Sequence, residues 1–327
     1  MKLVKKWVVV IILIIGAFAQ QSAYADGKLS DAPQDWMSKL NPDTELSKIN
    51  IPGTHDSGSY TLEDPVKSVW AKTQDKDYKT QLEQGIRFLD IRGRATSDSS
   101  IGIHHGMVYL HHNFGDVLDT AKQFLQAHPN ETIVLSMKKD HTPADGVTKD
   151  FNTIFKENYF ESEAYRDLFY HGNNPNPKLS DVKGKIVLLN RMGSTSVNSG
   201  YGVMEGIDWK DNASFDTTMN GGQLKLSVQD EYKDNQAPKL QAIKGLLDKS
   251  YADNSENAVY INFLSVSSGG TALNSPYAYA SNINPEIAKY INEHTQQRTG
   301  WVIMDYSGYT WSGYPDITEA VINSNKA

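Results

Sequence analysis

Short apolar strands alternating with helical stretches place the tightest limit on what this chain can become. Runs such as Thr132–Lys138, Lys185–Asn190 and Ala258–Val266 are apolar on both faces, the pattern of strands covered by helices on either side. Between them, Gly115–Ala127 carries Val117, Leu118, Ala121, Phe124 and Leu125 at helical spacing. Leu240–Tyr251 and Ile317–Asn323 also read as helices, as do Trp36–Leu40, Lys72–Gln84 (closed by Gly85), Val147–Phe160, Glu163–Tyr170 and Pro285–Glu293. The remaining strands are Ile86–Arg92, Leu224–Gln229 and Trp301–Tyr306, with Ile101–His105 and Met107–His111 as a hairpin about Gly106. Gly193–Asn220 is rich in Gly, Ser and Asn and gives no clear period. With no linker interrupting the alternation, the chain is expected to form a single α/β domain with a mainly parallel sheet, of TIM-barrel type. A doubly wound open sheet competes, but no G-x-G-x-x-G follows the first strand.

The first 25 residues stand apart from that pattern. Lys2, Lys5 and Lys6 precede the apolar run Trp7–Phe18, which is short for a bilayer span, and Ala23-Tyr24-Ala25 offers a cleavage site. Residues 1–25 are therefore expected to be a secretory signal peptide and residues 26–327 the folded domain, placing the protein outside the cell. The formal charge is −7, and losing those three lysines makes it more negative. An acidic surface argues against nucleic acid and against strong electrostatic docking on anionic membranes. There is no cysteine, so a secreted chain must be held by its core, and thiol chemistry is excluded.

In a barrel of this kind functional groups gather at the carboxyl ends of the strands. His55 and Asp56 follow the first strand in Ile51-Pro-Gly-Thr-His-Asp-Ser-Gly58, where Gly53 and Gly58 are expected to allow a sharp bend. Asp90 and Arg92 end the second strand, and His105 ends the third. Lys138, Arg191, Asp230 and Asp305 sit at the ends of later strands. Parity separates neighbours. Ile133, Leu135 and Met137 form one face, leaving Val134, Ser136 and Lys138 to point inward, with Lys139 a solvated charge. Asp90 and Arg92 share a face, which suits an ion pair in which Asp90 supports Arg92.

Two histidines, several carboxylates and an arginine suit acid–base chemistry on a phosphate ester, the guanidinium binding phosphate oxygens. The usual nucleophile and nucleotide motifs are missing: no G-x-S-x-G elbow, P-loop or H-E-x-x-H occurs. A divalent ion held by His55, His105, Asp56, Asp90 and Asp305 is the sharpest competing chemistry, although Arg92 already supplies positive charge there.

The motifs I-P-G-T-H-D-S-G (51–58), F-L-D-I-R-G-R (88–94), H-H-G (104–106), S-M-K-K (136–139), K-I-V-L-L-N-R (185–191), V-Q-D-E-Y (228–232), N-F-L-S-V-S-S-G-G (262–270), N-P-E-I-A (284–288) and W-V-I-M-D-Y (301–306) together resemble the secreted bacterial phosphatidylinositol-specific phospholipases C. The resemblance implies a distorted (β/α)8 barrel that cleaves phosphatidylinositol without a metal or other cofactor. The inositol 2-hydroxyl attacks its own phosphorus, diacylglycerol leaves, and inositol 1,2-cyclic phosphate forms, with slow hydrolysis following. By that resemblance His55 is the general base oriented by Asp305, His105 is the general acid assisted by Asp56, and Arg92 binds phosphate. Lys138, Arg191, Asp230 and Tyr232 match the inositol contacts, with Ser265 behind them. The implied partners are membrane phosphatidylinositol, met through transient peripheral contact, and glycosyl-phosphatidylinositol-anchored proteins, with no nucleic acid. Trp70, Tyr277 and Tyr279 are the candidate membrane contacts, together with Leu273, which stands where well-known members carry tryptophan. Two other readings are a metal-dependent glycerophosphodiester-type phosphodiesterase and an inositol- or lipid-binding protein without catalysis.

Overall fold

The computed structural model describes residues 27–193 and 204–326, apart from 234, 256, 268 and 312. The expected signal peptide and part of the Gly/Ser/Asn-rich stretch lie outside the described residues. In chain order the strands are β1 (Ile51–Thr54), β2 (Phe88–Ser97), β3 (Ser100–His105), β4 (Val108–Asn113), β5 (Ile133–Lys139), β6 (Ile186–Arg191), β7 (Ser214–Met219), β8 (Leu224–Gln229), β9 (Ala258–Phe263) and β10 (Trp301–Met304). The helices are α1 (Pro65–Ala71), α2 (Tyr78–Glu83), α3 (Phe114–Ala127), α4 (Phe151–Phe155), α5 (Leu179–Val182), α6 (Gln236–Ala252), α7 (Pro276–Glu293) and α8 (Ile317–Asn323).

Parallel pairing runs β6-β5-β2-β1-β10-β9-β8, which curls the sheet into a distorted barrel. The parallel character is partial. The hairpin β3–β4 branches antiparallel from β2, and β7 pairs antiparallel with β8. Among the described residues β6 and β7 do not pair, so the curl has a seam there.

Strand alternation builds the core. Phe88, Val134, Val187, Leu226, Ile261 and Ile303 point to one interior cluster. Their neighbours Leu89, Leu135 and Leu188 face outward against α3 and α4, while Val302 and Met304 meet α6, α7 and α8. The inward parity expected for Val134 and Ser136 is therefore the one observed. At about 25 cal/mol per Å² of buried apolar surface, a cluster of this kind outweighs the local preferences of its segments.

Several local expectations change. The helix expected over Lys72–Gln84 starts only at Tyr78, because Asp77 caps it by accepting from Thr80 N, and the segment before it threads elsewhere. A helix not expected, α1, has Asp64 as N-cap and Pro65 at its first position. Val147–Phe160 is α-helical over Phe151–Phe155 and then widens to a π turn. Within Glu163–Tyr170 only Arg166–Leu168 is helical, as a 3₁₀ turn. The last long helix starts at Pro276, capped by Ser275, and runs through Pro285 rather than from it.

In the opening motif the bend falls on a different residue. Asp56 takes φ 41°, a left-handed conformation uncommon for a side-chain-bearing residue. Gly53 is needed for close packing instead: a Cβ there would lie 2.6 Å from both Ile303 Cδ1 and Phe88 Cβ.

Candidate active site

Parallel register brings the functional groups together. Arg92 pairs with Lys138, and Lys138 with Arg191, so β2, β5 and β6 place three cations side by side. Thr54 sits level with Met304 and Leu89, which sets His55 and Asp305 next to each other just past β1 and β10. His105 arrives from the β3–β4 hairpin and Asp230 from the end of β8. All line one cleft of about 620 Å³ at the carboxyl end of the sheet, except Asp305, which lies behind His55.

His55 Nδ1 lies 2.7 Å from Asp305 Oδ1. The carboxylate is buried and acts as acceptor, so Nδ1 carries the proton and Nε2 is the free nitrogen. The backbone is clamped: the His55 carbonyl accepts from Thr73 Oγ1 and Gln74 Nε2, and Gln74 Nε2 also donates to the Met304 carbonyl. Asn284 Nδ2 donates to the Asp305 carbonyl.

His105 Nδ1 faces two acceptors, the Ala71 carbonyl at 2.9 Å and Asp56 Oδ2 at 3.1 Å. Its Nε2 is then the nitrogen left for the cleft. Asp56 is fully buried, and burial pushes its carboxyl up against the pull of His105, Arg92 and His55.

Asp90 is the hub beneath them. Its Oδ2 accepts from Arg92 Nε at 3.1 Å and from Asp56 N at 3.2 Å, and its Oδ1 faces Arg191 Nη1 at 3.4 Å. Burial alone would raise this carboxyl, but Arg92 and Arg191 outweigh it and hold it well below the usual carboxylate range. Burial works against the Arg92 cation too, yet Asp90 and Asp56 keep it above its ordinary value. The expected supporting ion pair is present, and it serves two arginines rather than one.

On the other side of the cleft, Arg191 lies 3.6 Å from the Trp209 ring centre, and Trp209 Nε1 donates to Asp230 Oδ2 at 3.2 Å. Tyr232 donates to Asp211 at 2.7 Å, while Ser265 is buried in the wall. Lys138 Nζ sits 2.8 Å from Asp140 Oδ1; Arg92 and burial draw its ammonium down while Asp140 opposes them. Trp209, Asp211 and Asp140 were not legible as site residues. The first two fall in or beside the stretch without periodicity. Asp140 shares the inward parity of Lys138, and following that alternation one step further would have found it.

Of the four candidate membrane contacts, Leu273 is 87% exposed, Tyr277 45% and Trp70 44%. Tyr279 is half-buried and packs on the cluster beneath α7. Tyr277 meets Tyr306, Tyr309 and Trp311 edge-on, beside the end of β10.

Residues 49–192 match the family model described as phosphatidylinositol-specific phospholipase C, X domain. The chain is 57% identical to a 1-phosphatidylinositol phosphodiesterase of Staphylococcus aureus, over 99% of each chain. It is 29% identical to the 1-phosphatidylinositol phosphodiesterase of Listeria monocytogenes, over 85% of this chain and 83% of that one. A crystal structure of the Staphylococcus aureus phosphatidylinositol-specific phospholipase C superposes with a TM-score of 0.89 at 59% identity, covering 92% of this chain and all of that one. The Listeria monocytogenes phosphatidylinositol-specific phospholipase C gives 0.71 at 27% identity, covering 90% of this chain.

Proposed function

The chain belongs to the phosphatidylinositol-specific phospholipase C family, and we propose that it cleaves phosphatidylinositol by proton transfer between two histidines, without a metal. The observation that carries this is the pair of imidazoles lining one cleft, each with Nδ1 tied, together with the largely buried Arg92. His55 Nε2 takes the proton of the inositol 2-hydroxyl as that oxygen attacks phosphorus. The bond from phosphorus to the diacylglycerol oxygen breaks, and His105 Nε2 gives that oxygen its proton. Arg92 neutralises the charge that builds on the phosphate oxygens. The products are diacylglycerol and inositol 1,2-cyclic phosphate. In a second, slower turn the roles reverse, and water opens the ring.

Metal independence is supported by charge. A guanidinium already sits among Asp90, Asp56 and Asp140, where a divalent ion would need those carboxylates for itself. Lys138, Arg191, Asp230 and Tyr232 are read as the inositol contacts, with Trp209 holding Arg191 flat. Glycosyl-phosphatidylinositol anchors share the same inositol phosphodiester, so the reading extends to them. The exposed Trp70, Leu273 and Tyr277, in the segments that follow the carboxyl ends of β1 and β9, support transient contact with a lipid surface. The basic and apolar amino-terminal run supports action outside the cell.

The test is a phosphatidylinositol whose 2-hydroxyl is methylated, assayed beside the His55→Ala variant. Both are expected to give no diacylglycerol above background, with myo-inositol binding by the variant retained. Normal turnover of the methylated lipid would rule out cyclisation, and an active variant would rule out His55 as base.

A further inference from the structure

One carboxylate in the cleft has no part in the proton transfers and yet joins both halves of the site. Asp140 stands just past β5, its backbone N–H donating to the Gly93 carbonyl, so the β2–β5 ladder continues to this residue. Its Oδ1 lies 2.8 Å from Lys138 Nζ. Its Oδ2 accepts from Gly106 N at 2.5 Å, the amide that immediately follows His105. Gly106 has φ 55°, so this N–H is the first of a left-handed turn that reverses the chain into β4. The side chain of Asp140 is only 8% exposed although it lines a cleft that receives a phosphodiester. A buried negative charge there opposes substrate binding unless it does other work.

Resting on the functional reading above, we propose that Asp140 is a positioning residue for the reaction: one carboxylate holds Lys138 at the inositol side of the cleft and fixes the turn that carries His105. The two duties use different oxygens, which makes them separable. In Asp140→Asn the amide oxygen can still accept from Gly106 N–H, but the NH2 group then meets the Lys138 ammonium as a second donor. In Asp140→Ala both contacts are lost.

The experiment is steady-state kinetics on a short-chain, monomeric phosphatidylinositol with Asp140→Asn, Asp140→Ala, Lys138→Met and the Asp140→Asn/Lys138→Met double variant. Loss of one charge-assisted contact predicts that Asp140→Asn raises KM about tenfold and leaves kcat within roughly threefold. Asp140→Ala raises KM similarly and also lowers kcat by about tenfold, because the acid is no longer held. The double variant should show the KM of Lys138→Met alone, since both changes break one contact. In NMR spectra the Gly106 amide proton should move upfield in Asp140→Ala and stay near its wild-type position in Asp140→Asn. The proposal is overturned if both Asp140 variants keep kcat and KM within about twofold of wild type, or if the two KM effects multiply in the double variant. Should Asp140→Ala not fold, the isosteric Asn variant and the double-variant cycle decide alone. If wild-type protein fails to cleave phosphatidylinositol, the functional reading falls by itself. The same cycle read as myo-inositol affinity, with the Gly106 shift, then still decides the role of Asp140.

Discussion

Replacing Asp90 by Asn removes one charge from the centre of the site while keeping the side chain's shape. The structure sets the size of the effect. Asp90 is fully buried and touches Arg92, Arg191 and the Asp56 amide through its two oxygens. Breaking a buried ion pair typically costs about 3–5 kcal/mol. Here part of that is recovered. An Asn oxygen can keep the Asp56 N–H, and Arg191 retains Asp230 at 3.9 Å and the face of Trp209. A loss of about 2–3 kcal/mol follows, or roughly 3–5 °C in Tm for a domain of this size. The sign of its pH dependence is fixed by the depressed carboxyl. Its stabilisation is present above the unfolded-state value near 4 and fades only as pH falls below that, toward the still lower folded value. The Tm gap should therefore be constant between about pH 5 and 8. Thermal melts across that range, with kcat/KM at each point, measure it. Arg92 loses its alignment, so kcat/KM should fall by about a hundredfold. A variant that melts within about 1 °C of wild type and keeps kcat/KM within threefold would refute the reasoning.

Asp316 caps α8, and burial pushes its carboxyl up to about 6, with Glu319 adding to the shift. A raised folded value means the stabilising, protonated form is lost as pH rises through about 6. Asp316→Asn should accordingly be more stable than wild type at about pH 8, by on the order of 1–3 kcal/mol, with the gap closing by about pH 3.5. Melts showing no gap at pH 8 would count against burial as the cause. The double change Trp70→Ala and Leu273→Asp should weaken binding to phosphatidylinositol-containing vesicles at least about tenfold. Turnover of a monomeric short-chain substrate should be unchanged; unaltered vesicle sedimentation would remove these side chains from the lipid contact.

The strands and the residues at their carboxyl ends were readable because parallel strands carry strong local signals. Apolar runs of fixed parity, each ending in a charge, need only be aligned to bring Arg92, Lys138 and Arg191 into one row. The motif points to Asp56 but not to its left-handed backbone, since Gly53 and Gly58 are the better hinges by residue type. Helical spacing misleads where tertiary contacts dominate. The backbone N–H groups of Thr73 and Gln74 donate to Ser59 Oγ and the Thr73 carbonyl accepts from Tyr306 N, so these bonds go to tertiary partners rather than to a helix, which shortens the expected Lys72–Gln84 element. The stacking of Trp209 on Arg191 joins residues brought together only by the fold, and no sequence period announces it.

The central claim is that the inositol ring supplies the nucleophile and two histidines move the protons, with no metal. Phosphorus NMR of phosphatidylinositol turnover in excess chelator tests this directly. The account predicts undiminished cleavage and a cyclic phosphodiester resonance that rises first and decays slowly to inositol phosphate. Activity lost to the chelator and restored by calcium or magnesium, or inositol phosphate formed with no cyclic species preceding it, would contradict it.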